Sequence, residues 1–300
     1  MAVYKKTYRP YEGALTARWA RLLVIPRFAF EDLHRRKFLT SFFSATFLYP
    51  LICAIIIWVQ HNASALSLIN AQGAQRLITI NVVFFLSVLG WQSMMGLFLA
   101  AFVGPGQVSP DLANNALSLY LARPFSRAEY VLGKMSVLVI LLSLMTWVPG
   151  LLLFALQSYL EGWSWAVDHA RIAAGLFFGA WIWILLLALL ALALSAWVKW
   201  RAAAGGLMFG VFFVLSAFGA VINGVVRTHW GHLFSVNYLV GSIWVWMFEG
   251  DHPTTNGAVF FRAPRGETLP LWTSWVGLAL LSLICLYMLA RKIRGAEVVR

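Results

Sequence analysis

The residue types able to do bond chemistry are sparse in this sequence, with eleven acids, six histidines and two cysteines among 300 residues. A phosphate-cradling loop reads G-x-x-x-x-G-K-[ST], with glycines whose backbone amides face the phosphates. Gly133-Lys134 lacks the upstream glycine and is followed by Met135, so it does not qualify. Zinc-protease spacing, H-E-x-x-H, is absent, and so is any histidine or acid pattern typical of a transferase at a membrane mouth. His229, His232, Glu249, Asp251 and His252 are metal-capable types, but no pair has tight ligand spacing on a predicted element. They read as decoration of a solvated loop, and no metal is assigned. Cys53 and Cys285 fall inside apolar runs and read as small buried hydrophobes.

The densest informative stretch is VSPDLANNALSLYLARPFSRAEYVLGK, Val108 to Lys134. Ser109 suits an N-cap, Pro110 the first helical position, and Asp111 the positive end of the helix dipole. Leu112, Ala116, Leu119 and Tyr120 then share one face, so the spacing predicts a helix over Ser109–Tyr120, with Asn114 and Asn115 inside it. Arg123-Pro124 stops that helix, because proline disfavours helical geometry in the residue before it. Ser126-Arg127-Ala128-Glu129 is a capping box that opens the next helix. Two capped starts around a sharp break make a rigid element, not a flexible linker.

The surrounding elements are apolar. Of the residues 61% are hydrophobic and 11% charged, against about 25% charged in a soluble domain. Six runs, Phe38–Val59, Leu77–Val103, Val131–Leu156, Ile172–Val198, Ala202–Val226 and Leu271–Ala290, are each long enough to cross a hydrocarbon core of about 30 Å. Lys134, near a mouth, is the one charged residue inside them. The predicted fold is an all-α bundle of six membrane-crossing helices. Eighteen of the 23 basic residues fall on one side of it, while Arg76, Arg171, Arg227, Arg262 and Arg265 fall on the other. By the positive-inside rule both termini, and the Val108–Lys134 element, face the cytoplasm. The net charge of +12 is thereby a topology signal, and no nucleic-acid partner is expected. Asn81, Gln92 and Asn223 are the polar residues inside the runs, read either as lining a pathway or as bonding neighbouring helices. No carboxylate lies within a run, so a proton relay has no obvious carrier.

Residues 1–37 form a basic leader whose Arg21–Lys37 stretch is amphipathic and suited to lie along the membrane surface. Residues 38–290 hold the bundle, with connections at 104–130 and 227–270, and 291–300 form a basic tail. Within the longer connection Leu233–Phe248 is Trp-rich but short for a crossing, and is expected to be a re-entrant or surface-lying helix on the outer face.

LARPFSRAEYVLGK, Leu121 to Lys134, resembles the signature at the entry to the third span of type-2 ABC transporter permeases, the membrane subunits of ATP-driven exporters. Members of that family have six spans, an amphipathic N-terminal elbow helix and outer-face helices between the fifth and sixth spans. The resemblance implies that Ser109–Tyr120 is a coupling helix seating in a separate ATPase subunit. It further implies that Arg123, Pro124, Ser126, Arg127, Glu129, Tyr130, Gly133 and Lys134 turn the chain back into the membrane. The family commonly carries a Glu-x-x-x-Gly pattern in this region, where this chain has Asp111 and Asn115. The resemblance implies no cofactor in this chain, since ATP and Mg²⁺ would be bound by the P-loop ATPase partner. It also implies a second permease copy or a paralogue, contact with membrane lipids, and residence in a prokaryotic inner membrane. A non-transporting membrane scaffold, or an intramembrane enzyme without a recognisable motif, is the alternative.

Overall fold

The computed structural model describes residues 26–28, 30, 35–62, 80–114, 127–198, 200–250 and 269–294. Every regular element among them is helical, and six helices are long and apolar enough to cross a membrane. The chain is a multi-pass membrane protein. Its first span, Lys37–Gln60, consists of α1 (Lys37–Ala45) and α2 (Leu48–Gln60). The second is α3 (Val82–Val103), continued through a 3₁₀ turn at Gly104–Gly106 into α4 (Ser109–Ala113). The third joins α5 (Arg127–Met145) to α6 (Trp147–Glu161), followed by a short α7 (Trp163–Asp168). The fourth is α8 (Ala170–Trp197). The fifth is α9 (Arg201–Phe209), a π-helical turn at Gly210–Val214 and α10 (Leu215–Val226). After α11 (Val236–Glu249), the sixth span lies within α12 (Leu271–Arg294).

Two of the breaks have one cause. In the first span the Thr46 hydroxyl donates to Phe43 O at 2.6 Å and Pro50 follows. In the third, the Thr146 hydroxyl donates to Leu142 O at 2.7 Å and Pro149 follows. A back-bonding threonine offers its carbonyl partner an alternative to the helix ladder, and proline removes the next donor. By contrast α8 runs unbroken for 28 residues, about 42 Å at the helical rise. It is also the most enclosed span, with 67% of its most apolar stretch buried against 22% for the first and fifth.

The bundle has two distinguishable ends. At one end the His61 ring Nε2 meets Glu161 Oε1 at 3.0 Å, joining α2 to α6. At the other, Trp197 donates through Nε1 to Met288 O at 3.0 Å, and the Lys292 ammonium sits 5.6 Å from the Trp197 ring. Phe38 packs on Phe102 at 5.6 Å and Gly104, just beyond Phe102, stands against Ala191, so the start of the first span and the end of the second share this second end. Cys53 and Cys285 are buried free thiols, as the apolar runs suggested.

A folded-back segment fills the space between α10, α8 and α12. Arg227 takes a left-handed conformation, φ 51°, and turns the chain. Trp230–Phe234 then returns along α10 as a 3₁₀ helix, with the Gly231 backbone pressed against Gly219 and Gly231 N donating to Asn223 Oδ1 at 2.7 Å. Ser235 ends the return. Its Oγ lies 2.9 Å from Ser216 Oγ and accepts from Tyr238 N at 3.2 Å, capping α11. From there α11 climbs along α8, Trp244 beside Gly179 and Phe248 beside Gly175. Trp244 donates through Nε1 to Gly179 O at 2.9 Å. Ile243 and Trp244 are fully buried against the bundle. A stretch this apolar satisfies its ends with serine and asparagine and sinks its aromatic face into glycine sockets.

Candidate functional site

The end of the bundle that carries Trp197 and Lys292 also carries the element singled out by its capping pattern. There α3 ends at Val103, and Gly104-Pro105-Gly106 makes one tight turn. A Cβ on Gly104 would stand 2.5 Å from Ala191 Cβ of α8, so glycine is needed for this approach. Beyond the turn, α4 starts at Ser109 and stops at Asn114, within five residues.

Ser109 does not cap this helix. The N-cap is Val108, whose side chain has no acceptor, and Ser109 is the first helical residue. The missing cap comes from α8. Ser195 Oγ accepts from both Val108 N and Ser109 N at 3.0 Å, and donates to Pro105 O at 2.8 Å. A hydroxyl has one proton and two lone pairs, so Ser195 is saturated by this one turn of chain. It is 1% exposed.

Asp111 is likewise committed inside the molecule. Its Oδ2 accepts from Tyr130 Oη at 2.7 Å and pairs with Lys134 Nζ at 2.9 Å. Lys134 also lies 5.8 Å from the Tyr130 ring. Tyr130 is fully buried, Gly133 is buried, and the Asp111 and Lys134 side chains are largely covered. The pair therefore braces α4 against α5, and these residues offer little to a docking partner. Asn114 is exposed, Pro110, Arg127 and Glu129 are partly so, and α5 is described from Arg127 onward. Asn115, Leu119, Tyr120, Arg123, Pro124 and Ser126 lie outside the described residues, as do Asp251, His252 and most of the amphipathic leader.

The three intramembrane polar candidates separate. Asn81 is the N-cap of α3, accepting from Phe84 N at 3.2 Å, and lies at the span end. Asn223 anchors the folded-back segment through Gly231. Gln92, halfway along α3, is fully buried with neither side-chain terminus hydrogen-bonded. Asn81 and Asn223 thus bond helices and backbone. Elsewhere the His232 ring stacks on Tyr238 at 4.4 Å.

Ser195 and Gly104 carry no motif. One hydroxyl in ALALSAW and one Gly-Pro-Gly after an apolar run are weak signals, and their meaning depends on which helices meet. Compared with known proteins, the chain matches no protein-family model and no curated protein.

Proposed function

We propose that this chain is the membrane subunit of an ATP-driven transporter of the type-2 ABC permease class, and an exporter. In this reading the end of the bundle holding α4 faces the cytoplasm. A separate P-loop ATPase seats against the 104–130 connection, and a second permease chain completes the translocation path.

The observation that carries the reading is the bracing of α4. A five-residue helix at a bundle end is too short to persist unaided. Here it is clamped from two sides, to α8 through Ser195 and to α5 through Asp111, Tyr130 and Lys134. Such clamping suits a lever that transmits force, since a mere connection needs none. The surrounding charge agrees. Arg35, Arg36, Lys37, Arg127, Lys134, Arg201, Arg291 and Lys292 belong to this end, whereas Arg171 and Arg227 are the described basic residues of the other. The folded-back α11 between the fifth and sixth spans also fits the class, as an outer-face helix entering the bundle. The described spans are predominantly apolar, in keeping with a hydrophobic or amphipathic cargo.

The test is co-expression with a candidate P-loop ATPase subunit of the ABC class. The two are expected to co-purify, and the complex in lipid nanodiscs to hydrolyse ATP. The Arg123→Ala, Glu129→Ala double variant should insert normally but lose the ATPase or its stimulated turnover. Undiminished transport-linked turnover in that variant would remove the 104–130 connection from the drive path.

A further inference from the structure

We propose that Ser195 makes the fourth span the member that carries displacement of the Gly104–Asn114 element across the bundle to α11. The inference rests on the proposed transport reading, and it assigns to α8 a load that the chain order alone would give to the second and third spans.

The first support is a contrast with hydroxyls that bond within their own helical segment. Thr146, Ser158, Ser216 and Ser242, buried or partly buried, each donate to the carbonyl four residues back, at 2.6–2.8 Å. That is the ordinary satisfaction of a hydroxyl in an apolar helix. Ser195 instead spends its donor and both acceptor positions on a neighbouring segment. One turn earlier on the same face, Ala191 sits against the Gly104 backbone. Past the end of α8, the Arg201 guanidinium lies 3.7 Å from the place a Gly106 Cβ would take. The Gly104–Ser109 turn is therefore fastened to α8 and the start of α9.

The second support is the far end of the same helix. Gly175 and Gly179 receive Phe248 and Trp244 of α11. The Arg171 guanidinium donates from Nε to Met247 O at 2.9 Å and from Nη2 to Trp246 O at 2.8 Å. Between these two attachments α8 is continuous, whereas the first, third and fifth spans contain a break or a π-helical turn. An unbroken helix held at both ends moves as a rod. A break absorbs displacement as a local change of angle.

Ser195 is accordingly a positioning residue, acting through the backbone of residues 105–109. The test places nitroxide labels at Trp58→Cys, on the exposed side of α2, and Trp246→Cys, on α11, in the full chain with its ATPase in nanodiscs. Electron-electron resonance distances are read before and after addition of ATP and orthovanadate. With Ser195 present the distance is expected to shift. Ser195→Ala should abolish the shift while retaining the bound ATPase and its ATP hydrolysis, and Ser195→Thr, which keeps the hydroxyl, should restore it. A structural defect alone would lower assembly and hydrolysis together and spare neither. If Ser195→Ala fails to assemble, Ser195→Cys, a weaker donor and acceptor, should give a reduced shift. A shift of full size in Ser195→Ala or Ser195→Cys overturns this inference and leaves the transport reading standing. No shift, or no bound ATPase, in the chain with Ser195 intact overturns both.

Discussion

Removing one partner of the Lys134–Asp111 pair should do more harm than removing both. Lys134→Met leaves the Asp111 carboxylate in a largely covered site with the Tyr130 hydroxyl as a neutral donor. An uncompensated charge in dry protein costs about 3–5 kcal/mol, and partial exposure here brings the expectation to about 2 kcal/mol. Lys134→Met with Asp111→Leu removes both charges and keeps apolar volume, so it should recover most of that loss. Thermal unfolding of the four proteins of the cycle in detergent checks this. A double variant no more stable than Lys134→Met would show that the pair does not act as a unit. Ser109 and Asp111 teach the same lesson at this scale: the sequence pattern identified a helix start correctly but not which atoms complete it. The cap is supplied from α8, and the acid looks inward to α5.

At the scale of elements, the sockets on α8 are the sensitive positions. A Cβ on Gly175 would stand 2.7 Å from the Phe248 ring, so Gly175→Val must push α11 away. Overpacking of this kind costs about 1–3 kcal/mol. Phe248→Leu in the same chain should return part of it, and detergent melting temperatures of the single and double variants decide. The folded-back segment has a pH signature of its own. Burial, aided by neighbouring His229, lowers the His232 pKa below the ordinary histidine value, so the fold favours the neutral ring. That contribution is complete above the ordinary value of about 6.5 and is lost as pH falls through it toward the lowered folded value. The melting temperature should therefore fall between about pH 7 and about pH 5, and His232→Phe should flatten the decline. An unchanged slope in His232→Phe would assign the pH dependence to other groups. The element boundaries show why some structure escapes a hydropathy reading. Pro50 and Pro149 mark their breaks openly, but the π-helical turn at Gly210–Val214 has no such mark. It is held by contacts: Phe212 is buried against Trp183, and Phe212 O accepts from Ser216 Oγ and from Asn237 Nδ2.

For the whole molecule, the proposed orientation makes a prediction that needs no partner. Tyr159 and Val225 are exposed at the end that carries His61 and Glu161, and Lys292 is exposed at the opposite end. Cys53 and Cys285 are buried and should label poorly. In intact cells a membrane-impermeant maleimide should label Tyr159→Cys and Val225→Cys, and should reach Lys292→Cys only after permeabilisation. The opposite pattern would invert the bundle and move α4 away from any cytoplasmic ATPase.

The six apolar crossings, their approximate limits and the charge imbalance between the two ends follow from the sequence by itself. Each rests on a property summed over twenty or more neighbouring residues, which the hydrocarbon core imposes whatever the helices touch. What only the tertiary structure decided are the pairings between helices. Ser195 completes the turn at Gly104–Ser109, Gly175 and Gly179 admit α11, and Trp230–Phe234 returns along α10. In an apolar bundle nearly every face is hydrophobic, so periodicity cannot choose among partners. The choice falls to a few glycines, hydroxyls and a largely covered ion pair, whose significance appears when the helices are brought together.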